Sequence, residues 1–286
     1  MKKGVIVKAL SGFYYVNTGD ETIACRAKGR FRYDGLTPLV GDSVVLSDEG
    51  VLEAIEPRRN SFIRPAVANI DLLIFVASKA KPVTDPFLID RVSVIAEDSN
   101  CDFAVCINKS DLEKGDDLFD IYKAAGYPVL CLSAETGEGI EELRSLMKGR
   151  ICAFTGNSGV GKSSLLNALI PGAGVEVAEI SDKLGRGKHT TRHVAFYALD
   201  EDTYVADTPG FASFEIEMMN EIGEEELARL FIDFGPYPDR CRFDDCRHIN
   251  EPGCAVKEAV ESGQIMRTRY DSYLRLYDIV KNHKPW

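Results

Sequence analysis

The stretch GNSGVGKSS, residues 156–164, matches the pattern Gly-x4-Gly-Lys-Ser. The apolar run RICAFTG precedes it, and the apolar run KSSLLNALI begins at its lysine, so it lies between a predicted strand and a predicted helix. The backbone N–H groups of such a turn and the N-terminus of its helix point toward the same anion. The stretch therefore predicts a loop that binds the phosphates of a nucleotide.

The residues of this loop have separate expected tasks. Lys162 is expected to neutralise charge on the β- and γ-phosphates, and the Ser163 hydroxyl is expected to bind Mg²⁺. The remaining expected nucleotide contacts are Gly156, Asn157, Ser158, Gly159, Val160, Gly161 and Ser164.

Predicted strands and helices alternate along the chain from residue 65 to residue 220. The strands are IDLLIFVAS, DFAVCIN, YPVLCLSA, RICAFTG, HVAFYAL and TYVADTP, and the helices include DPFLIDRVSVIAED, GIEELRSLM and KSSLLNALI. This alternation is typical of a mostly parallel sheet with helices on both faces. We expect one α/β domain over residues 65–220.

The stretch INKSD, residues 107–111, carries the Asn-Lys-x-Asp signature of a guanine-reading loop in Asn108, Lys109 and Asp111. Asp111 is expected to accept hydrogen bonds from guanine N1–H and from the exocyclic amine. A site built to satisfy a substrate N–H rejects an analogue that lacks it by a factor of roughly 10⁴. The next strand ends in LSAETGEGI, where Ser133 and Ala134 are expected to close over the base.

The order of these loops differs from that of ordinary GTPases, in which the guanine loop follows the phosphate loop. Here the guanine loop comes first. A parallel sheet tolerates such a rotation of the chain when the original termini lie close together. The sequence therefore predicts a circularly permuted domain that binds GTP and GDP.

Two further segments complete the expected nucleotide site. The stretch DTPG, residues 207–210, follows a predicted strand, so Asp207 is expected to hold Mg²⁺ through water and the Gly210 amide to contact the γ-phosphate. Between the two loops, GRGKHTTRH at 185–193 is expected to be a switch segment, with Thr191 as the second Mg²⁺ hydroxyl and Thr190 as the fallback. A simple strand-ending turn is the alternative for DTPG.

The N-terminal residues 1–64 have a different pattern, with five short alternating strands between Gly4 and Pro57. Such a pattern predicts a small closed barrel of the OB type. The segment RAKGRFRYDG, residues 26–35, interleaves basic and aromatic side chains, which are suited to phosphates and to unpaired RNA bases. The alternative is a solvated loop whose two rings, Phe31 and Tyr33, cap the barrel.

The C-terminal residues 221–286 contain CRFDDCRHINEPGC, with spacing Cys-x4-Cys-x-His-x5-Cys. Three thiolates and an imidazole suffice for a closed tetrahedral Zn²⁺ site, with one structural zinc per chain. A disulfide or unrelated free thiols are the alternatives. Two predicted helices follow, AVKEAVESGQI and RTRYDSYLRLYDIVKN, and the arginines and tyrosines of the second offer either RNA contacts or a solvated face. The ligands are Cys241, Cys246, His248 and Cys254.

The composition restricts the function classes. The 286 residues carry a net charge of -11, which argues against a general polyanion binder, yet residues 1–64 hold ten Lys and Arg against eight Asp and Glu. No apolar run reaches the roughly 20 residues of a membrane span, and the start lacks a cleavable signal. Five cysteines stand singly in apolar runs, as in a reducing compartment. We expect a cytoplasmic monomer with no membrane partner.

Together, the barrel, the permuted loops and the cysteine spacing resemble the RsgA (YjeQ/YloQ) GTPases of bacterial small-subunit ribosome biogenesis. The resemblance covers essentially the whole chain. It implies a GTPase stimulated by the 30S subunit, which binds 16S rRNA near the decoding region and acts in late maturation. His189 matches a histidine of the family motif that positions water, so it is the expected catalytic residue beside Thr191 and Lys162; a histidine that faces solvent or RNA is the alternative.

Two other features concern catalysis and function. Phe211 stands where Ras-like enzymes place the glutamine that orients water, so intrinsic hydrolysis is expected to be slow, and Gly159 stands where potassium-activated relatives carry asparagine, so no potassium requirement is expected. The alternatives in other classes are a translation-factor-like GTPase on mature ribosomes and an RNA-binding zinc protein whose nucleotide site only stabilises the fold.

Overall fold

The computed structural model describes residues 1–33, 35–63, 66–170, 195–207, 219 and 222–282. Within these ranges, the side chains of Arg30, Arg32, Ile63, Ala195 and Asp207 are not described. The expected switch residues His189, Thr190 and Thr191 lie outside the described residues, as do Gly210 and Phe211.

The N-terminal module is the expected five-stranded barrel. Strand β1 lies at its centre, paired antiparallel with β2 on one side and with β4 on the other. β2 pairs with β3, β4 pairs with β5, and a bridge between Ala27 and Leu52 brings the two outer strands together. A short helix, α1 (Arg30–Tyr33), follows β3. The strands are β1 (Lys2–Leu10), β2 (Phe13–Asn17), β3 (Thr22–Cys25), β4 (Ser43–Leu46) and β5 (Leu52–Ile55).

A hairpin that the sequence pattern did not indicate connects the barrel to the central domain. It consists of β6 (Ser61–Ile63) and β7 (Ala66–Ala68), which form a separate two-stranded antiparallel sheet. Each strand has only three residues, too few for alternation to be recognised in the sequence.

The central domain contains all six expected strands, in the order β10-β9-β8-β11-β13-β12. Every pair is parallel except β12 with β13, which confirms the mostly parallel sheet. All six residues of β8 are buried because helices cover both faces. The strands are β8 (Leu72–Ala77), β9 (Asp102–Ile107), β10 (Val129–Cys131), β11 (Ile151–Thr155), β12 (Ala195–Ala198) and β13 (Tyr204–Asp207).

Four helices of this domain are described, of which three were expected. The first begins after Asp85, whose carboxylate accepts a hydrogen bond from Phe87 N at 3.0 Å, with Pro86 in the first turn, where its missing N–H costs nothing. The sequence-based prediction did not include the third helix, Asp116–Ala124. The helices are α2 (Pro86–Asp98), α4 (Ile140–Met147) and α5 (Lys162–Leu169), with the additional α3 (Asp116–Ala124).

The barrel and the central domain share one hydrogen-bonded sheet. β1 pairs antiparallel with β12, with Lys8 opposite Ala195, so the path of strands runs from β10 to β3 without interruption. Val40 pairs with Val67, and the Asn69 side chain donates to the Gly41 carbonyl at 2.9 Å. The division at residues 64 and 220 stays a prediction, since the sheet itself crosses the first boundary.

The C-terminal region consists of short 3-10 helices followed by two α-helices. The 3-10 helices are Leu227–Leu230, Ile232–Phe234 and Pro238–Arg240. The α-helices are α6 (Ala255–Glu261) and α7 (Arg267–Asn282), where the sequence predicted them. No helix in the described parts of the chain has the length and apolar character needed to cross a membrane.

Helix α7 corrects the interpretation of Arg269 and of its three tyrosines as RNA contacts or as a solvated face. The Arg269 side chain is fully buried, and Tyr270, Tyr273 and Tyr277 are buried as well, so these residues neither form a solvated face nor reach RNA. Arg267 and Arg275 remain exposed, and the Arg275 guanidinium lies over the Phe87 ring of α2, 3.6 Å from its centroid. Arg269 contacts α2 of the central domain, whereas the three tyrosines bond to residues of the C-terminal region itself.

A buried cluster of charges holds this interface together. Arg269 donates to Asp90 of α2 at 2.8 Å and to the two carboxylate oxygens of Asp233 at 2.7 and 3.2 Å. Tyr122 of α3 donates to the same Asp90 oxygen at 2.9 Å. Buried charges are tolerated only when they are paired and hydrogen-bonded, so this cluster permits one docking geometry for α7.

Arg269→Met removes the cation while keeping a side chain of similar length. Because Asp90 and Asp233 would then be buried without a counter-charge, we expect the free energy of unfolding to fall by about 3–5 kcal/mol in urea titrations. Arg267→Met is the matched control, because Arg267 forms an exposed pair with Asp271 one turn later, worth about 0–1 kcal/mol. Equal effects of the two changes would contradict a structural role for the buried cluster.

Candidate functional site

The phosphate loop connects β11 to α5 and depends on two glycines. Gly156 and Gly161 have φ angles of 125° and 100°, which L side chains rarely adopt. A Cβ at Gly156 would lie 2.2 Å from the Val76 carbonyl oxygen, and one at Gly161 would lie 2.2 Å from Asn108 Nδ2. The loop therefore needs glycine at both positions for its conformation and for its contact with neighbouring strands.

Lys162 occupies the centre of the phosphate loop. Its Nζ donates to the carbonyl oxygens of Gly156 and Asn157, at 2.6 and 2.7 Å. Burial lowers the pKa of Lys162 to about 8, because the ammonium group is removed from water. A phosphate group would restore the missing negative charge, so the environment favours an anion at this point.

Asn108 joins the guanine loop to the phosphate loop. The side chain is only 2% exposed. Its Nδ2 donates to the Val160 carbonyl at 2.8 Å, and its Oδ1 accepts from Ala134 N at 3.1 Å. One amide thus holds together the three loops at the carboxyl ends of β9, β10 and β11.

Lys109 reinforces this arrangement. Its Nζ donates to the Gly159 carbonyl at 2.8 Å and to the Lys81 carbonyl at 2.6 Å. The residue has φ 65°, a left-handed backbone conformation that is unfavourable for most residues other than glycine and asparagine. Lys109 therefore lies against the phosphate loop through a backbone conformation that its contacts must stabilise.

Asp111 lies exposed beyond these buried contacts, next to the second base loop. Its Oδ1 accepts a hydrogen bond from the Ser133 hydroxyl at 2.5 Å, and the Ser133 oxygen in turn accepts from Thr136 N at 3.2 Å. These bonds orient the carboxylate. The structure thus brings the predicted guanine residues and the phosphate loop to one edge of the sheet, although their roles remain predictions.

The predicted Mg²⁺ residues are described only in part. Ala206 of β13 pairs with Ala153 of β11 in parallel register, so the backbone of Asp207 reaches the same edge as the phosphate loop. A serine hydroxyl and a carboxylate are oxygen ligands of the type that Mg²⁺ prefers, and Ser163 and Asp207 therefore fit this ion. Thr191 and Gly210 cannot be placed against them, since they lie outside the described residues.

The four predicted metal ligands meet in one cluster. The ligand atoms of Cys241, Cys246, His248 and Cys254 all lie within 4.8 Å of one another. His248 Nδ1 lies 3.7 Å from the Cys241 sulfur and 3.4 Å from the Cys254 sulfur, so Nδ1 is the nitrogen that faces the thiols. Three sulfurs and one nitrogen fit a tetrahedral metal site, and the cluster can bind a metal ion.

Tyrosines of α7 orient the backbone of this cluster. Tyr270 donates to the His248 carbonyl at 2.7 Å, and Tyr273 donates to the Arg247 carbonyl at 2.6 Å. His248 has φ 59°, which these bonds help to maintain. The sequence did not indicate this support, because the tyrosines were interpreted as RNA contacts or as part of a solvated face.

Comparison with known families decides the identity of the domain. The model of the RsgA GTPase family matches residues 55–217, and the model of the RsgA N-terminal domain matches residues 3–55. The chain belongs to the RsgA GTPase family. It is accordingly a GTP hydrolase, as the sequence predicted, and the alternative of a nucleotide site that only stabilises the fold is wrong.

RsgA relatives match over nearly their whole length. The small ribosomal subunit biogenesis GTPase RsgA of Caldanaerobacter subterraneus subsp. tengcongensis is 47% identical over 98% of this chain and 96% of its own. The protein of that name from Bacillus subtilis is 41% identical, covering 100% of this chain and 99% of its own. The crystal structure of YjeQ from Thermotoga maritima superimposes with a TM-score of 0.83 at 37% identity, covering 99% of each chain.

A second solved structure, YloQ, described as a circularly permuted GTPase, has a TM-score of 0.82 at 37% identity, covering 100% of this chain and 97% of its own. The predicted circular permutation is therefore confirmed for this RsgA family member. The loops follow β9, β10, β11 and β13 in the sequence, and all four strands lie in one sheet.

Asp111→Asn is expected to shift the nucleotide preference of this RsgA protein from guanine toward xanthine. The amide can donate a hydrogen bond to the extra carbonyl of xanthine, whereas the carboxylate accepts from guanine N1–H and the amine. Competition of GTP, XTP and ATP against a fluorescent GDP analogue measures the change. The control is Glu113→Gln, an acid-to-amide change two residues away at another exposed position, which should leave the preference for GTP unaltered. If the wild-type protein bound ATP as tightly as GTP, the predicted guanine-reading role of this loop would be refuted.

Cys246→Ser is expected to abolish metal binding by removing one of four ligands. The C-terminal region should then lose its ordered structure, because ion binding and folding of such a cluster are coupled. Metal analysis should find one equivalent of zinc in the wild type and almost none in the variant, with GTP binding largely intact. Cys131→Ser removes a half-buried thiol outside the cluster and serves as the control. If wild-type protein purified without a chelator contained no zinc, the prediction would be contradicted.

Proposed function

We propose that this protein hydrolyses GTP to GDP and phosphate during late maturation of the 30S ribosomal subunit, with hydrolysis stimulated by the subunit itself. The relatives named above are small ribosomal subunit biogenesis GTPases, and the chain matches them from end to end. GTP/GDP, the 30S subunit and 16S rRNA are the proposed partners of a monomer in the cytoplasm.

The observation that carries the proposal is the Asn108 contact between two loops. Its hydrogen bonds to Val160 and Ala134 join a guanine signature to a phosphate loop in a chain that also has an OB-type barrel and a Cys/His cluster. A guanine-reading site alone would suit many GTPases. Its combination with two flanking modules of the kind that bind RNA supports a ribosomal partner.

The barrel loop at residues 26–35 supports RNA binding in part. Phe31 is buried and caps the barrel, as one alternative expected, whereas Tyr33 is 93% exposed and available to stack on a base. Lys28 pairs with Glu53 at 2.5 Å, and the Arg26 guanidinium lies 4.4 Å from the Phe13 centroid. We therefore assign RNA contact to Tyr33 and to the neighbouring basic positions 30 and 32, and a second contact to the zinc module.

The proposed cofactors follow from the donor sets. Zn²⁺ fits the three sulfurs and the imidazole, where it would hold the loop 241–254 in one conformation. Mg²⁺ with GTP fits the oxygen ligands Ser163, Thr191 and Asp207, where it would neutralise charge between the β- and γ-phosphates.

The proposed mechanism assigns separate steps to the chain's own residues. Lys162 binds phosphate oxygens, His189 positions the attacking water, and the Thr191 hydroxyl would be the second hydroxyl ligand of Mg²⁺. Phe211 cannot hydrogen-bond to water, so hydrolysis is slow until the 30S subunit stimulates it. Each 1.36 kcal/mol removed from the barrier accelerates the reaction about tenfold.

Maturation of the small subunit and a translation-factor-like role differ in the particle on which the GTPase acts. A translation-factor-like GTPase would act on mature ribosomes. Maturation of the small subunit requires a preference for free 30S particles, whereas a translation factor would prefer 70S ribosomes. GTP turnover with each particle at equal concentration distinguishes the two. Stronger stimulation by 70S ribosomes would replace the proposed function with the translation role.

Arg30→Ala combined with Arg32→Ala is expected to reduce stimulation by 30S subunits about tenfold or more, because the removed charges contact rRNA phosphates. Point variants are preferable to removing the barrel, since removal would also strip β1 from the edge of β12. Stimulation should weaken as salt increases, because phosphate contacts release counterions. Turnover is measured with and without 30S subunits across a salt series.

The matched control is Lys123→Ala with Lys148→Ala, which removes two exposed cations from the central domain. Equal losses in the two double variants would show a general charge effect and contradict the barrel assignment. If 30S subunits stimulated GTP turnover of His189→Ala as strongly as that of the wild type, His189 would not be the residue that positions water.

A further inference from the structure

Strand β12 is the last strand of the central sheet, and the barrel covers its outer edge. Ala195 of β12 pairs with Asp207 of β13 on one side and with Lys8 of β1 on the other. Lys8, Ala195 and Asp207 therefore form one row across three adjacent strands. The barrel is thus two strands away from the backbone of the proposed Mg²⁺ carboxylate.

A side-chain hydrogen bond connects the barrel to β13 directly. Asn17 of β2 donates from Nδ2 to the Tyr204 hydroxyl at 2.7 Å, and the Tyr204 hydroxyl donates weakly to the Glu201 carbonyl at 3.4 Å. Tyr204 is 8% exposed and is the first residue of β13, three residues before Asp207. The start of the strand that leads to Asp207 is therefore attached to the barrel by a mostly buried polar contact.

Close packing at Gly41 completes the attachment. A Cβ at Gly41 would lie 1.9 Å from the Ala68 carbonyl oxygen and 3.2 Å from Cζ of Phe196 in β12. The Phe196 and Tyr204 rings lie 6.3 Å apart on the side of the β12–β13 hairpin that faces the barrel. Backbone pairing, the Asn17–Tyr204 hydrogen bond and the approach of Phe196 to Gly41 thus all attach the hairpin to the same module.

We propose that Asn17 and Tyr204 are positioning residues for Asp207, so that the barrel sets the Mg²⁺ affinity of the nucleotide site. The inference rests on the proposed role of Asp207 in binding Mg²⁺. An uncovered edge strand frays more readily than a paired one, and β12 would be such an edge without β1. Attachment of the hairpin to the barrel restricts the backbone of Asp207, which lies at the same sheet edge as the phosphate loop.

The attachment also couples the barrel to the nucleotide site in the reverse direction. If barrel docking strengthens Mg²⁺ binding, then Mg²⁺ with nucleotide must strengthen barrel docking by the same factor. A partner that displaces the barrel from the hairpin would weaken Mg²⁺ binding without touching the nucleotide loops.

The experiment compares Tyr204→Phe, Asn17→Ala and the double variant in the full chain. Tyr204→Phe keeps the ring and removes only the hydroxyl. The readout is the Mg²⁺ concentration that half-maximally slows dissociation of a fluorescent GDP analogue, with the affinity for the analogue in EDTA as a second measurement. We expect the half-maximal Mg²⁺ concentration to rise about threefold in each single variant, as for loss of one hydrogen bond.

Two features separate positioning from a merely structural effect. The double variant should be no worse than the more affected single variant, because both changes remove the same bond. The affinity in EDTA should stay at the wild-type value, because the base and phosphate loops are unchanged. Tyr15→Phe removes another hydroxyl from the same barrel strand and leaves the Asn17–Tyr204 hydrogen bond in place, so it should behave as the wild type.

If the half-maximal Mg²⁺ concentration of Tyr204→Phe equalled that of the wild type, the inference would be overturned. It would also be overturned if the effects of the two single changes added up in the double variant. Asp207→Asn tests the underlying function separately. If Asp207→Asn raises the Mg²⁺ requirement while Tyr204→Phe does not, the positioning role fails and the proposed function stands. If Asp207→Asn itself leaves the requirement unchanged, the Mg²⁺ role of Asp207 fails and the inference fails with it.

Discussion

The nucleotide site depends on the buried amide of Asn108. It donates to the Val160 carbonyl of the phosphate loop and accepts from Ala134 N of the second base loop, so loops from three strands share one side chain. A buried amide that lost either partner would have an unsatisfied polar group, which costs about 1–3 kcal/mol. Gly161 must lack a side chain because Asn108 Nδ2 would lie 2.2 Å from its Cβ. The spacing between base and phosphate loops is therefore determined by packing as well as by chain connectivity.

Circular permutation is compatible with this constraint because parallel strand pairing brings the loops together whichever strand comes first. β8 lies between β9 and β11, and all three pairs of the guanine and phosphate strands are parallel. What the permutation changes is the location of the flanking modules. The barrel pairs with β12 at one edge of the sheet, and the C-terminal region packs on α2 through Arg269, Asp90 and Asp233. Both modules thus contact elements that are continuous with the nucleotide loops.

Local patterns predicted the elements well where each pattern was long. The run DFAVCIN became β9, and RTRYDSYLRLYDIVKN became α7 with the expected bounds. The hairpin β6–β7 was not predicted, since three-residue strands offer little periodicity. Helix α3 was missed although its buried Leu118, Ile121 and Tyr122 have helical spacing. The interpretation of α7 was wrong at Arg269 for a different reason. An arginine on a helix is usually solvated, and only the presence of Asp90 and Asp233 beside it allows complete burial.

By itself, the sequence determined the fold class, the guanine and phosphate signatures and the Cys/His spacing of the candidate metal site, because each depends on residue types at short, fixed spacing. Only the tertiary structure decided that Lys109 contacts Gly159, that Asn17 meets Tyr204 and that Tyr270 supports His248. These contacts join residues that are 22 to 187 positions apart in the chain. Hydrogen bonds and burial depend on proximity in space, and no local pattern of residues encodes which distant partner the packed sheet and helices will supply.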